Sequence, residues 1–307
     1  MIEYLGKKGG DIMNVMNISE RKFNNLERFV LPNGVFNNES ELFYIDEKNK
    51  WEKRRFLLKK LNNDFGIILS NKLFTVNELI TNKDIIGISE LVIPDKLVSV
   101  HGKIVGFTIP LVNGNNFGEV LSNDSISVSD KIKYFKEIGY ILENMKYVRQ
   151  YTLLNDFYLN DIHENNFVLN NDTGKINVVD MDSCKINNNM TMVSLRLSPF
   201  SNIYDFNKYE KEESMCGGCY KPSYNTEMYS YIIMFLRFIS NYRINEMDVS
   251  SYYAYMEYLK KLGISYELID ILASIYSEKD NVNPYLLLDE FISYYEKCNY
   301  KKYVLKV

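Results

Sequence analysis

The chain predicts an α+β fold of two lobes, an N-terminal antiparallel sheet carrying one helix and then a larger, mainly helical part. Three observations predict it. Short apolar runs separated by turn residues fill positions 29–112, helical periodicity takes over after Asn113-Gly114, and a hairpin-like block at positions 157–179 interrupts the helices. With 307 residues, 46% hydrophobic and 25% charged, the chain is long enough for two domains or one bilobal unit. It is too apolar to be disordered.

The first 27 residues read as an extension preceding a lobe at 28–112, with the second lobe at 113–307. Five runs supply the strands: FVLPNGVF from Phe29, ELFYI from Glu41, RRFLLKKL from Arg54, LVIPDKLVSV from Leu91 and KIVGFTIPLV from Lys103. Each is rich in β-branched or large apolar residues and bounded by Asn, Gly, Asp or Pro, the pattern of a strand between turns. His101-Gly102, between the last two runs, predicts a hairpin turn. The spacing predicts a single helix over Asn71–Lys83, with Leu73, Val76 and Ile80 on one face. Beyond Asn113-Gly114, Ser127 is placed to cap a helix whose inner face is Ile132, Phe135, Ile138, Leu142 and Met145. Further helices are expected over Thr226–Ser240, Ser250–Leu262, Tyr266–Tyr276 and Pro284–Cys298.

Charge and topology exclude several classes of function. The net charge is −4 and no basic stripe is present, so neither nucleic acid nor an anionic membrane surface is an expected partner. The first ten residues lack the apolar core of a secretory signal. The most apolar stretch, Tyr229–Ile239, is short and contains Arg237, which argues against a membrane span. A cytoplasmic location follows as the expectation, with Cys184, Cys216, Cys219 and Cys298 reduced. Cys216-Gly-Gly-Cys219 has the spacing of a redox pair or half a zinc site, but His101, His163, Cys184 and Cys298 do not complete a finger spacing. It reads as a loop that holds two thiols.

The most informative stretch is LNDIHENNFVLNNDTGKINVVDMDSCK, Leu159–Lys185. Asp161 is followed five positions later by Asn166. An apolar pair, a turn at Asn170–Gly174 and a short strand ending at Asp180 come next. Such a loop feeding a hairpin delivers a carboxylate, an amide and a second carboxylate to one end. Phosphoryl transfer needs this set: one carboxylate to position and deprotonate the acceptor hydroxyl, and an oxygen-donor pair to hold Mg²⁺ on the nucleotide phosphates. Either motif alone is better read as a polar turn. Their order and spacing within a β-then-α chain favour the chemistry.

The chain resembles the protein-kinase-like superfamily, which also contains aminoglycoside and choline phosphotransferases, over roughly residues 28–240. The resemblance implies an ATP- and Mg²⁺-dependent kinase with its active site in a cleft. It implies Asp161 as catalytic base and Asn166 and Asp180 as metal ligands. It also implies a strand lysine on the α- and β-phosphates, paired with Glu78 on the following helix. Lys59 and Lys60 lie on opposite faces of their strand. Three preceding apolar residues favour Lys59. Adenine is expected against backbone groups of Pro110, Leu111 and Val112, and the segment from Thr226 resembles the buried helix that follows the activation segment, with Glu227 where Asp is usual. The run from Leu91 to Gly114 is similar to bacterial protein-kinase-like proteins and points to a protein Ser/Thr hydroxyl as acceptor. Asp161-Ile-His163 instead resembles the small-molecule kinases, which keeps a small hydroxyl compound as the alternative. The departures are a single glycine, Gly34, where a glycine-rich loop is expected, Leu159-Asn160 in place of His-Arg, and Asp182 in place of the motif's Gly. They leave open a pseudokinase, a binding module without efficient transfer.

Overall fold

A computed structural model describes residues 14–30, 40–45, 55–61, 66–190, 211–214, 217–240 and 249–261. The chain divides into two units. One takes the chain through Lys83 and then Ile93–Leu111, and the other takes Asp84–Val92 and the chain from Val112 onward.

The first unit is built on a mixed sheet that is mostly antiparallel. Its strands are β1 (Val15–Asn17), β2 (Glu27–Arg28), β3 (Ser40–Tyr44), β4 (Phe56–Leu61), β5 (Lys96–Val100) and β6 (Lys103–Pro110), in the order β1-β5-β6-β4-β3-β2. β1 pairs with β5 in parallel and every other pairing is antiparallel. Two features differ from the sequence expectation. The described part of the expected extension supplies strand β1 to the sheet, and it also holds helix α1 (Glu20–Asn24), which precedes the expected one. A three-residue strand and a five-residue helix are too short to show periodicity. The helix is nevertheless marked by Ser19, whose hydroxyl accepts the Lys22 N–H at 3.2 Å.

The long helix α2 runs from Gly66 to Thr81, five residues earlier than its periodic core suggested. Leu69, one turn before Leu73, extends the same apolar face. The sheet buries both faces by strand alternation. Leu58 and Val98 pack with Ile18 and Ile45 on one side, while Leu61, Leu97 and Phe107 meet Leu73 and Val76 of α2 on the other. The turn between β5 and β6 is the expected one. His101 and Gly102 have φ of 52° and 74°, and Val100 pairs with Lys103. Left-handed geometry at both central residues gives the turn a twist that matches its strands.

The second unit opens with Asp84–Val92, which includes most of the short helix α3 (Lys83–Ile86). It continues with β7 (Gly114–Asn116), α4 (Phe117–Ser122), α5 (Val128–Tyr151), β8 (Phe167–Asn170) and β9 (Ile176–Val178). The pair β10 (Lys211–Ser214) and β11 (Gly217–Tyr220) then precedes α6 (Tyr224–Ser240) and α7 (Val249–Lys261). Strands β7, β8 and β9 form an antiparallel sheet in that order. The Ser127 hydroxyl caps α5 by accepting the Asp130 N–H at 3.1 Å, and all five expected inner-face residues are buried. Phe135 carries the helix core. Its ring meets Phe117 and Phe235 edge-on at 5.0 and 5.1 Å, and its carbonyl accepts the Tyr231 hydroxyl at 2.7 Å. Segment 84–92 belongs here because Val92 N–H donates to the Val178 carbonyl and Val178 N–H to that of Glu90. Gly34, Cys216, Cys298 and the expected helices at Tyr266–Tyr276 and Pro284–Cys298 lie outside the described residues. No described helix is long and apolar enough to cross a membrane.

Candidate active site

The path into Asp161 is held from three sides. Arg149, at the end of α5 and buried, donates to the Phe157 carbonyl at 2.8 Å and lies 3.1 Å from Glu227 Oε2. Glu227, on the first turn of α6, accepts the Leu159 N–H at 2.7 Å through Oε1. The longer carboxylate thus reaches back to the loop. Tyr158 exchanges two backbone hydrogen bonds with Lys185 and presents its ring to the Arg149 guanidinium at 4.4 Å. Complete burial pushes the Glu227 carboxyl up to about 7, against the opposing pull of Arg149 and the Leu159 N–H. Arg149 was not foreseen as a site residue. Its signal is positional: it falls on the apolar stripe of α5, four residues after Met145, where an arginine requires a buried acidic partner.

Asp161, Asn166 and Asp180 come together in one pocket, lined also by Leu159, Val179, Met181 and Ser183. The turn of 3₁₀ helix at Glu164–Asn166 brings Asn166 back beneath Asp161. Its side-chain amide donates to the Asp161 carbonyl at 2.9 Å and to Asp161 Oδ2 at 3.1 Å. The Asn166 carbonyl accepts the Val179 N–H at 2.9 Å, which ties the loop to the residue before Asp180. Asp180 itself has φ 62° and ψ 43° and does not cap the 3₁₀ turn Met181–Ser183 that it precedes. Left-handed geometry is uncommon outside glycine, and Asp is among the residues that adopt it.

His163 flanks the pair on the other side, its Nε2 3.4 Å from the same Oδ2 of Asp161. Oδ1 meets no partner among the described residues. Burial would raise the Asp161 carboxyl, but the close contact and charge of His163 and the amide of Asn166 outweigh it and hold it below its usual range. The buried Asp182 works against them through its negative charge. His163 shows the converse. Burial disfavours its charged form, yet Asp161, with Glu164 and Asp180, draws its pKa above the ordinary value.

The remaining expected residues lie elsewhere in the chain. Lys59, in β4, is buried on the sheet face that meets α2, with its ammonium 5.9 Å from the centre of the Phe107 ring. Lys60 turns to the opposite face and pairs with Glu41 at 2.7 Å. Glu78 is half-buried on α2. Pro110 ends β6, where its missing N–H costs no ladder bond. The N–H of Leu111 is donated to the Arg55 carbonyl at 2.7 Å, so of the Leu111 backbone groups it is the carbonyl that stays with Pro110 and Val112 among the expected adenine contacts.

The donor set in the second unit consists of hard oxygens of the kind Mg²⁺ takes. The Asn166 amide nitrogen is committed to Asp161, so the amide offers its oxygen to a ligand. Among the described residues no group of three or more His, Cys, Asp or Glu side chains is gathered for a metal ion. No protein-family model matches the chain, and no curated protein is significantly similar to it.

Proposed function

We propose that the chain is an ATP- and Mg²⁺-dependent phosphotransferase whose acceptor is a protein Ser/Thr hydroxyl. The observation that carries the reading is the Asn166 amide bound to Asp161 in a pocket shared with Asp180. In this reading Asn166 and His163 both face Oδ2, so Oδ1 orients the acceptor hydroxyl and receives its proton. A carboxylate held ionised suits that role, because the proton moves late when the transition state is loose. Asn166 Oδ1 and the Asp180 carboxylate are the donors that would hold Mg²⁺. The bound ion would neutralise charge developing on the phosphates. Lys59, with Glu78 as its proposed partner, serves the nucleotide phosphates, and the Pro110 carbonyl and Val112 N–H serve adenine. The resemblance of Leu91–Gly114 to bacterial protein-kinase-like proteins supports a protein acceptor over a small molecule.

The test is transfer from γ-labelled ATP with Mg²⁺ to a cell lysate, separating proteins from small metabolites. Label in protein is expected, and label in metabolites alone assigns the small-molecule alternative. Asp180→Ala is expected to lower turnover on the order of a hundredfold or more. An unchanged rate for that variant rejects the metal-ligand assignment. ATP binding without any transfer in the unaltered chain would make it a binding module.

A further inference from the structure

We propose that His163 is a positioning residue, a single imidazole that holds Asp161 with one nitrogen and the turn carrying Asn166 with the other. The clamp itself stands on geometry, and its consequence for turnover rests on the phosphotransferase reading above. The backbone N–H of Asn165 donates to Nδ1 at 3.2 Å, which caps the 3₁₀ turn Glu164–Asn166. A ring nitrogen that accepts carries no proton, so the proton of the neutral ring sits on Nε2. Nε2 faces Asp161 Oδ2 at 3.4 Å. The His163 carbonyl accepts the Asn166 N–H at 3.0 Å, and the Asn166 side chain returns to Asp161. Asp161, His163 and Asn166 therefore close a ring of contacts. The Asn166 amide donates to Oδ2 and the His163 ring faces the same oxygen, so together they set the rotation of the carboxylate and decide which way Oδ1 points. Without Nε2–H the Asn166 amide alone holds it.

The two nitrogens can be separated by substitution. Asparagine at 163 puts an acceptor oxygen near the position of Nδ1 and nothing at Nε2, and it is among the best residues at a helix N-cap. Alanine removes both. The chain holds only two histidines, His101 and His163, so ring spectra contain two signals. His101→Asn assigns them, because His101 sits on the β5–β6 turn in left-handed geometry that Asn tolerates.

Long-range proton–nitrogen spectra of the full chain, at a pH where the ring is neutral, are expected to show the Nε2–H tautomer at His163. Its ring proton should be resolved from water and lost in Asp161→Ala. An Nδ1–H tautomer, no resolved ring proton, or a proton that persists unchanged in Asp161→Ala overturns the clamp. In the transfer assay His163→Asn is expected to lower kcat about tenfold to a hundredfold, the scale of a misplaced group, with the KM for ATP unchanged. Hydrogen exchange at the Asn165 amide should stay slow in His163→Asn and speed up in His163→Ala. Equal kcat in the unaltered chain and His163→Asn overturns the positioning role. A chain with no transfer at all removes the phosphotransferase reading and leaves the spectra to decide the clamp.

Discussion

Two adjacent lysines, Lys59 and Lys60, show how one residue step changes a role. Alternation along β4 sends the first to the α2 side and the second to Glu41 on the opposite face. Lys60→Ala is therefore expected to cost at most about 1 kcal/mol, the range of a partly exposed ion pair, and to leave nucleotide binding intact. Lys59→Ala is expected to weaken the thermal shift given by ATP with Mg²⁺, a shift that at saturation reflects the dissociation constant directly. Equal shifts in both variants would remove Lys59 from the proposed phosphate contacts. That the two lysines take opposite faces was legible, since a strand's period of two is a property of sequence. The engagement of the Leu111 N–H by Arg55 was not, because it depends on where β4 and β6 fall in register.

Elements show the same division between local and long-range information. The hairpin of β8 and β9, the cap of α5 and the turn at His101-Gly102 are all written within a few residues of chain. Two features escaped. The parallel β1 pairs with residues 82 positions away, and the α6 partner of Arg149 lies 78 positions away, so neither pairing carries a local signal. Glycine at 114 is a third such case. A Cβ there would stand 2.1 Å from the Leu169 carbonyl of the neighbouring strand, a contact that cannot be relieved without opening the β7–β8 ladder. Gly114→Ala is expected to destabilise the protein by about 2–4 kcal/mol, read as a lower midpoint of thermal or urea unfolding. An unchanged midpoint would mean that the sheet edge moves freely.

On the scale of the whole molecule, the buried Glu227 makes stability depend on pH. Its carboxyl titrates at about 7 in the folded protein against an ordinary value of 4.5, so the folded state binds this proton more tightly than the unfolded one. The contribution is present in full below pH 4.5 and is lost as pH rises toward 7, by about 3 kcal/mol over that interval. The midpoint of urea unfolding should fall across that range. Glu227→Gln, which keeps an acceptor for Leu159, should flatten the slope, and an equal slope in both proteins would assign the effect elsewhere. The resemblance to a buried helix supplied the position of Glu227 on α6, while its pairing with Arg149 from α5 was beyond sequence reading. The outermost strand has a further consequence. Removing the residues before Arg28 would strip β1 from β5 and bare a row of backbone donors and acceptors along Lys96–Val100. Bare strand margins recruit other chains. A shortened protein of this kind is expected to self-associate, eluting ahead of the full-length chain on gel filtration.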